Sequence, residues 1–300
     1  MWRTREQREH SEPAGVGTTT RSFLVRKMKL EGRMAKQPKL TLTAASALVL
    51  VLTAGMASSP PAVADQAQAR SLFKAMTDYV GAQQSIAFDY DATLEVVTKD
   101  RQKLQLASSG TVSLARPDKI RTTRSGGFVD METVFDGKTL TLFGKNKNVY
   151  TRVEVPGSLD NLMNELLKKY DRPLPAADLF FTHAYDDITA DVTDVKDLGS
   201  GVVGGIECDY FAFRAKDVDW QIWVTQGAKP RPCRYVITST GIADAPQYIV
   251  QLRNWKTGSE VAATDFAFKP PAGAKQISID ELKKVKDAGE LPSHFILGDK

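Results

Sequence analysis

The chain carries few side chains with intrinsic reactivity. Of its three histidines, His10 lies near the N-terminus, His294 near the C-terminus, and only His183 falls in the body of the chain. A metal site built from several imidazoles is therefore excluded, and a hydrolytic triad would have to use His183 or the tail. His183 follows the apolar Leu179-Phe-Phe181 in a loop and reads as a surface residue. No G-x-S-x-G, H-E-x-x-H or C-x-x-C pattern occurs, and no pair of carboxylates stands out for glycoside chemistry. No catalytic residue, metal ligand or cofactor is expected, and the chain reads as a non-enzyme.

Two other patterns imitate ligand sites. Gly199-Ser-Gly201-Val-Val-Gly204 matches G-x-G-x-x-G, but Ile206-Glu-Cys-Asp-Tyr-Phe-Ala-Phe213 follows, which alternates like a strand. A strand offers no helix N-terminus for a pyrophosphate, so the glycines read as a hairpin turn between strands 192–198 and 202–214. Asp186, Asp187, Asp191, Asp194 and Asp197 lack the glycine and closing glutamate of a calcium loop and read as a solvated face.

The two cysteines, Cys208 and Cys233, depend for their reading on where the chain resides. Lys36 and Lys39, the apolar run Leu40 to Met56, and Ala62-Val63-Ala64 together read as an export signal cleaved after Ala64. Thr41, Thr43, Ser46 and Thr53 dilute the apolar run below the roughly 20 residues a membrane anchor needs. No integral anchor is expected once residues 34–64 are removed. Residues 1–33 have no apolar periodicity and read as a disordered or non-native extension. The first 64 residues hold ten Lys/Arg and four Asp/Glu of the chain's 40 and 36, so the remainder is left at −2. The basic balance belongs to the leader, and no nucleic-acid partner is expected. In an exported chain a Cys208–Cys233 disulfide is the first expectation. A meander over 205–238 opposes it, because it separates the cysteines by about 10 Å across a middle strand. A bridge then requires a bulge or a bent strand end.

Behind these residues stand strongly periodic elements. Ala69, Leu72, Phe73, Met76, Tyr79 and Val80 line one face of a helix over 67–80. Leu159, Leu162, Met163, Leu166, Leu167 and Tyr170 line a second over 158–170, with Ser158 placed to cap it. Between and after them runs period-two sequence: 86–97, 104–115, 119–124, 129–135, 139–143, 149–155, 218–225, 234–240 and 247–256. Short turns between them, such as Asp136-Gly137, imply antiparallel neighbours. The fold class expected is α+β and mainly β: a strongly curved antiparallel sheet, an unclosed barrel of about ten strands, with two or three helices on its concave face. One domain spans 65–280, and 281–300 forms a short helix and tail.

The order of several short signatures resembles a known family. Phe135-Asp-Gly-Lys-Thr-Leu-Thr-Leu142, the Tyr150 strand, Pro156 before a Leu-rich helix, Asp219-Trp-Gln-Ile-Trp223, Pro230-Arg-Pro232 and Phe268-x-Pro270-Pro-x-Gly273 carry it. Over most of residues 67–277 the chain resembles a family of predicted periplasmic proteins that is similar to the lipoprotein-carrier (LolA/LolB-like) superfamily. The resemblance implies an unclosed barrel with helices over an apolar cavity, located in the periplasm. In the carriers such a cavity holds lipoprotein acyl chains, so the expected partner is a hydrophobic small molecule, a lipid or an acyl chain. The residues expected to line the cavity are Phe73, Met76, Leu162, Met163, Leu166, Trp220 and Ile222. The alternative is an envelope-sensing module whose cavity is filled by side chains and which binds another periplasmic protein; a hydrolase using His183 stands third.

Overall fold

The computed structural model describes residues 62–127, 129–170, 176–261 and 264–282. The expected extension 1–33 and almost all of the export signal lie outside the described residues. The first helix, α1, covers Ala62–Ala82. Its face Ala69, Phe73, Met76 and Val80 recurs at helical spacing and is fully buried. The Gln83 side chain folds back on the Tyr79 carbonyl and occupies an acceptor that the helix end would otherwise leave open.

Six strands follow as a meander: β1 (Ser85–Val97), β2 (Lys103–Ala115), β3 (Lys119–Gly126), β4 (Val129–Phe135), β5 (Thr139–Gly144) and β6 (Val149–Glu154). Helix α2 (Leu159–Tyr170), a 3-10 turn (Ala177–Phe180) and helix α3 (Ala184–Thr189) then interrupt the sheet. It resumes with β7 (Asp194–Val203), β8 (Ile206–Arg214), β9 (Asp219–Thr225), β10 (Pro232–Thr238) and β11 (Gln247–Thr257). A two-residue strand β12 (Lys275–Gln276) and a short helix α4 (Ile279–Leu282) end the described chain.

All twelve strands belong to one sheet, in the order β12-β6-β5-β4-β3-β2-β1-β11-β10-β9-β8-β7. The pairing of β1 with β11 joins the two halves of the chain, and β12 alone runs parallel to its neighbour, β6. The sheet is curved and does not close, so β7 and β12 are its edges. Strand alternation sends Ile86, Phe88, Leu114, Leu140, Trp220, Ile222 and Tyr235 to the inner face, where one apolar cluster includes residues of α1, α2, the 3-10 turn and α3.

The Gly199–Gly204 segment departs from expectation. Gly199 and Gly201 lie within β7, and the hairpin turn is Gly204-Gly205, both at positive φ (58° and 82°). That pair supplies the left-handed conformations a two-residue hairpin demands. Gly199, at φ 78°, sits where the β7–β8 register shifts between Asp197 and Ser200, which makes it a bulge.

Beyond β11 the chain crosses the outer face as a strap. The Arg121 guanidinium donates to the Asp265 carbonyl, and Phe268 packs on Phe143 and Tyr150 at 5.6 and 5.3 Å. The Arg152 guanidinium lies over the Tyr150 ring, and Asn148 donates to the Ala272 carbonyl. The strap delivers β12 to β6 and so occupies an edge that would otherwise offer unpaired backbone groups.

Candidate ligand site beneath the helical cap

The inner face of β8–β10 and the cap of helices meet around aromatic rings. Phe213 and Trp220, cross-strand partners, stack with centroids 3.8 Å apart and planes at 5°. Phe73 descends from α1 onto both, at 5.2 and 5.1 Å, and Tyr235 meets Trp220 edge-on at 5.8 Å. From α2, Leu162, Met163 and Leu166 enter the same cluster at the spacing of one helical stripe. The structure thus places Phe73, Met76, Leu162, Met163, Leu166, Trp220 and Ile222 in one buried cluster. All seven side chains are buried against their neighbours, so in this state side chains fill the space where a cavity was expected.

Sequence reading omitted several members of the cluster. Phe211 and Phe213 pair with Ile222 and Trp220 across β8–β9, so the alternation that places the latter two would have found them. Leu179 and Ile188 stand in elements too short for a period to appear, a four-residue 3-10 turn and a six-residue helix.

A few polar contacts fasten the cap. Ser158 caps α2, its hydroxyl accepting from the Asn161 backbone N–H at 3.2 Å, and the Leu159 N–H donates to the Pro117 carbonyl at 2.9 Å. Asp160 accepts from the backbone N–H and the hydroxyl of Thr182, which couples the first turn of α2 to the approach of α3. Arg116, at the corner between β2 and β3, donates to the carbonyl of Gln83 at 3.2 Å and to that of Phe180 at 2.8 Å. Burial pulls its guanidinium pKa down, against the nearby Asp160 carboxylate. One cation therefore ties the end of α1 to the 3-10 turn.

That turn carries a buried carboxyl. Asp178 accepts from the Leu179 N–H at 3.1 Å, and burial pushes its pKa up to about 7. Tyr235, in β10, is fully buried with a hydroxyl that has no hydrogen-bond partner, and its pKa is raised by burial and by Asp178.

The outer face of the same strands differs. Cys208 and Cys233 are bonded, with Cα atoms 7.1 Å apart. The approach becomes feasible because the β9–β10 register shifts between Pro232 and Arg234, which displaces Cys233 from regular pairing. Tyr210 stacks on Trp223 at 4.1 Å, and the Arg234 guanidinium lies 5.7 Å from the Trp223 centroid. The β7–β8 hairpin leaves Leu198, Val202 and Ile206 exposed at 44, 73 and 55%. A cleft of about 640 Å³ opens elsewhere, beside the bulge in β1 and β11, lined by Asp89, Thr111, Asn254, Trp255 and Lys256 among others. None of the seven expected residues borders it, and its lining mixes the apolar Phe88, Val112, Trp255 and Val261 with charged and hydroxyl side chains.

His183 is exposed at the start of α3, where its carbonyl accepts from the Asp187 N–H at 3.0 Å. Among the described residues no group of three or more His, Cys, Asp or Glu could hold a metal ion, and no helix is long and apolar enough to cross a membrane.

Comparison with known proteins gives a family and several distant likenesses. An uncharacterized protein of Methanocaldococcus jannaschii is 25% identical over 171 residues, 54% of this chain, and the chain spans 42% of that relative's length. The MucA/MucB complex structure of Pseudomonas aeruginosa is similar at 11% identity and a TM-score of 0.39, over 67% of this chain and 61% of that one. A LolA superfamily protein of Nitrosomonas europaea is similar at 11% identity and a TM-score of 0.28, over 63% of this chain and 92% of that one. Likenesses this remote say nothing of ligand or partner. The family model of a predicted periplasmic protein, DUF2092, matches residues 69–280, and the chain belongs to that family.

Proposed function

We propose that the protein is a non-catalytic periplasmic binding protein or carrier for an apolar ligand, a lipid or lipoprotein acyl chain. The ligand lies between the inner sheet face and the cap. The observation supporting this reading is the cap's construction: Trp220 and Ile222 of the sheet and Phe73, Met163 and Leu166 of the helices share one continuous apolar surface, and a handful of polar contacts fastens the helical elements over the sheet. No backbone ladder locks α2 or α3 to the sheet. Uptake then exchanges side-chain packing for ligand packing as the cap lifts, and methionines at 76 and 163 adapt readily to either neighbour. A dozen buried methylenes supply roughly 10 kcal/mol before the costs of binding and opening.

Titration with the fluorescent fatty acid cis-parinaric acid, with native mass spectrometry of the purified protein, tests the reading. Leu166→Asp is expected to keep the sheet's circular dichroism and cooperative unfolding while weakening parinarate binding at least tenfold. Loss of the fold in this variant, or no binding by the parent protein, would mean that the space is only a core.

A second reading has its own observation. The exposed large hydrophobics among the described residues, Leu198, Val202 and Ile206, all sit on the β7–β8 hairpin at an open sheet edge. An unpaired edge with apolar side chains suits docking of another periplasmic protein. Under that reading Val202→Asp abolishes crosslinking to a stoichiometric partner and leaves parinarate binding intact; equal crosslinking by both proteins rejects it.

A further inference from the structure

The 3-10 turn of the cap carries a buried carboxyl, Asp178, close enough to the buried Tyr235 to raise its pKa. Asp178 is 6% exposed, and its carboxylate has one hydrogen-bond donor besides its own backbone, the Leu179 N–H. Among the described residues no cation forms an ion pair with it. A charged carboxylate so placed is poorly solvated and has no counter-ion among the described residues, so the closed cap favours the neutral acid. The Tyr235 hydroxyl is buried and unpartnered, a second polar group whose hydration requires the cap to move.

The surrounding charges are committed elsewhere. Arg116 is bonded to the carbonyls of Gln83 and Phe180. Asp160, from α2, holds Thr182. From α1, Lys74 pairs with Asp78 at 2.7 Å. From α3, His183 is exposed, while Asp186 and Asp187 bring only further negative charge to the neighbourhood. Burial also holds the Asp187 carboxyl above its usual range. The turn itself is entered through Ala176 at φ 64°, a left-handed conformation that a non-glycine residue rarely adopts.

We propose that Asp178, buried in the 3-10 turn, is a proton-controlled gate of the cap: the protonated carboxyl lets the turn lie shut on the sheet, and its ionisation lifts the turn toward water. The gate rests on the ligand reading above only for its purpose, since the motion itself is a property of the apo protein. The closed state holds the proton at pH values where the opened, hydrated carboxyl has released it. Raising pH therefore favours opening, from the ordinary aspartate range near 4 up to about 7, and the effect levels off above that.

Amide hydrogen exchange of the wild-type protein from pH 5 to pH 8, corrected for intrinsic exchange, reads the gate directly. Protection of residues 177–189 is expected to fall about tenfold per pH unit between pH 5 and 7 and then flatten, with no change at Leu140–Leu142 in the β5 ladder. Asp178→Asn should stay protected and pH-independent across the range. A flat wild-type profile overturns the proposal, as does an undiminished pH dependence in Asp178→Asn; the wild-type profile alone decides if that variant does not fold. Anilinonaphthalene sulfonate binding separates the two ideas. A pH-dependent gate without probe uptake defeats the ligand reading and leaves the gate standing, and pH-independent uptake defeats the gate.

Discussion

Strand β9 carries one tryptophan to each face of the sheet, and the two are held by different physics. Trp220, inside, is almost fully buried among Phe73, Phe213 and Tyr235. Trp223, outside, is half-buried, stacked on Tyr210 beneath Arg234 and packed against the small cluster of Val203, Cys208 and Cys233. The inner face is stabilised by the area that the helices remove from water. Over the outer face of β8–β10 no helix lies among the described residues, and there a covalent bridge and ring stacking take that role. Under the proposed ligand reading, the inner face opens, and non-directional contacts that can re-form around a guest serve that. A face that must stay put is served by a bond that cannot slide.

The largest effect should follow from breaking the inner arrangement. Phe73 is fully buried and touches Tyr185, Phe213 and Trp220, so Phe73→Ala should cost about 3–5 kcal/mol in urea unfolding. A cost under about 1 kcal/mol would show that α1 can leave the sheet without penalty, and the contrast between the faces would fail. A smaller effect is expected outside. The bridge spans 25 residues, for which chain entropy predicts about 3 kcal/mol, so the double variant Cys208→Ala/Cys233→Ala should melt earlier than the oxidised protein. Its parinarate affinity should be unchanged, because the bridge lies on the face away from the cap. Altered affinity would mean that the two faces are coupled through β9.

Much of the architecture was legible because period and punctuation agreed. Leu159, Leu162, Met163 and Leu166 mark α2, Ser158 caps it as its position suggested, and Asp136-Gly137 turns the chain between β4 and β5. Legibility failed where one residue is added or an element is very short. The bulge at Gly199 shifts the phase of β7, so an alternation count splits one strand into two and puts the turn five residues early. Helix α3 has six residues and β12 two, fewer than a period needs in order to show.

The amino-acid sequence by itself determined the mainly antiparallel sheet, the two long amphipathic helices and which faces are apolar, because these follow from the alternation of side chains along a local backbone. Tertiary structure alone decided three matters. It brought Cys233 to Cys208 through a register shift between Pro232 and Arg234. It closed the inner space with side chains, since the volume between helix and sheet depends on how closely they approach and not on the residues of either. And it buried Asp178 within electrostatic reach of Tyr235, 57 positions away in the chain; no local pattern marks a carboxyl that folding will bury.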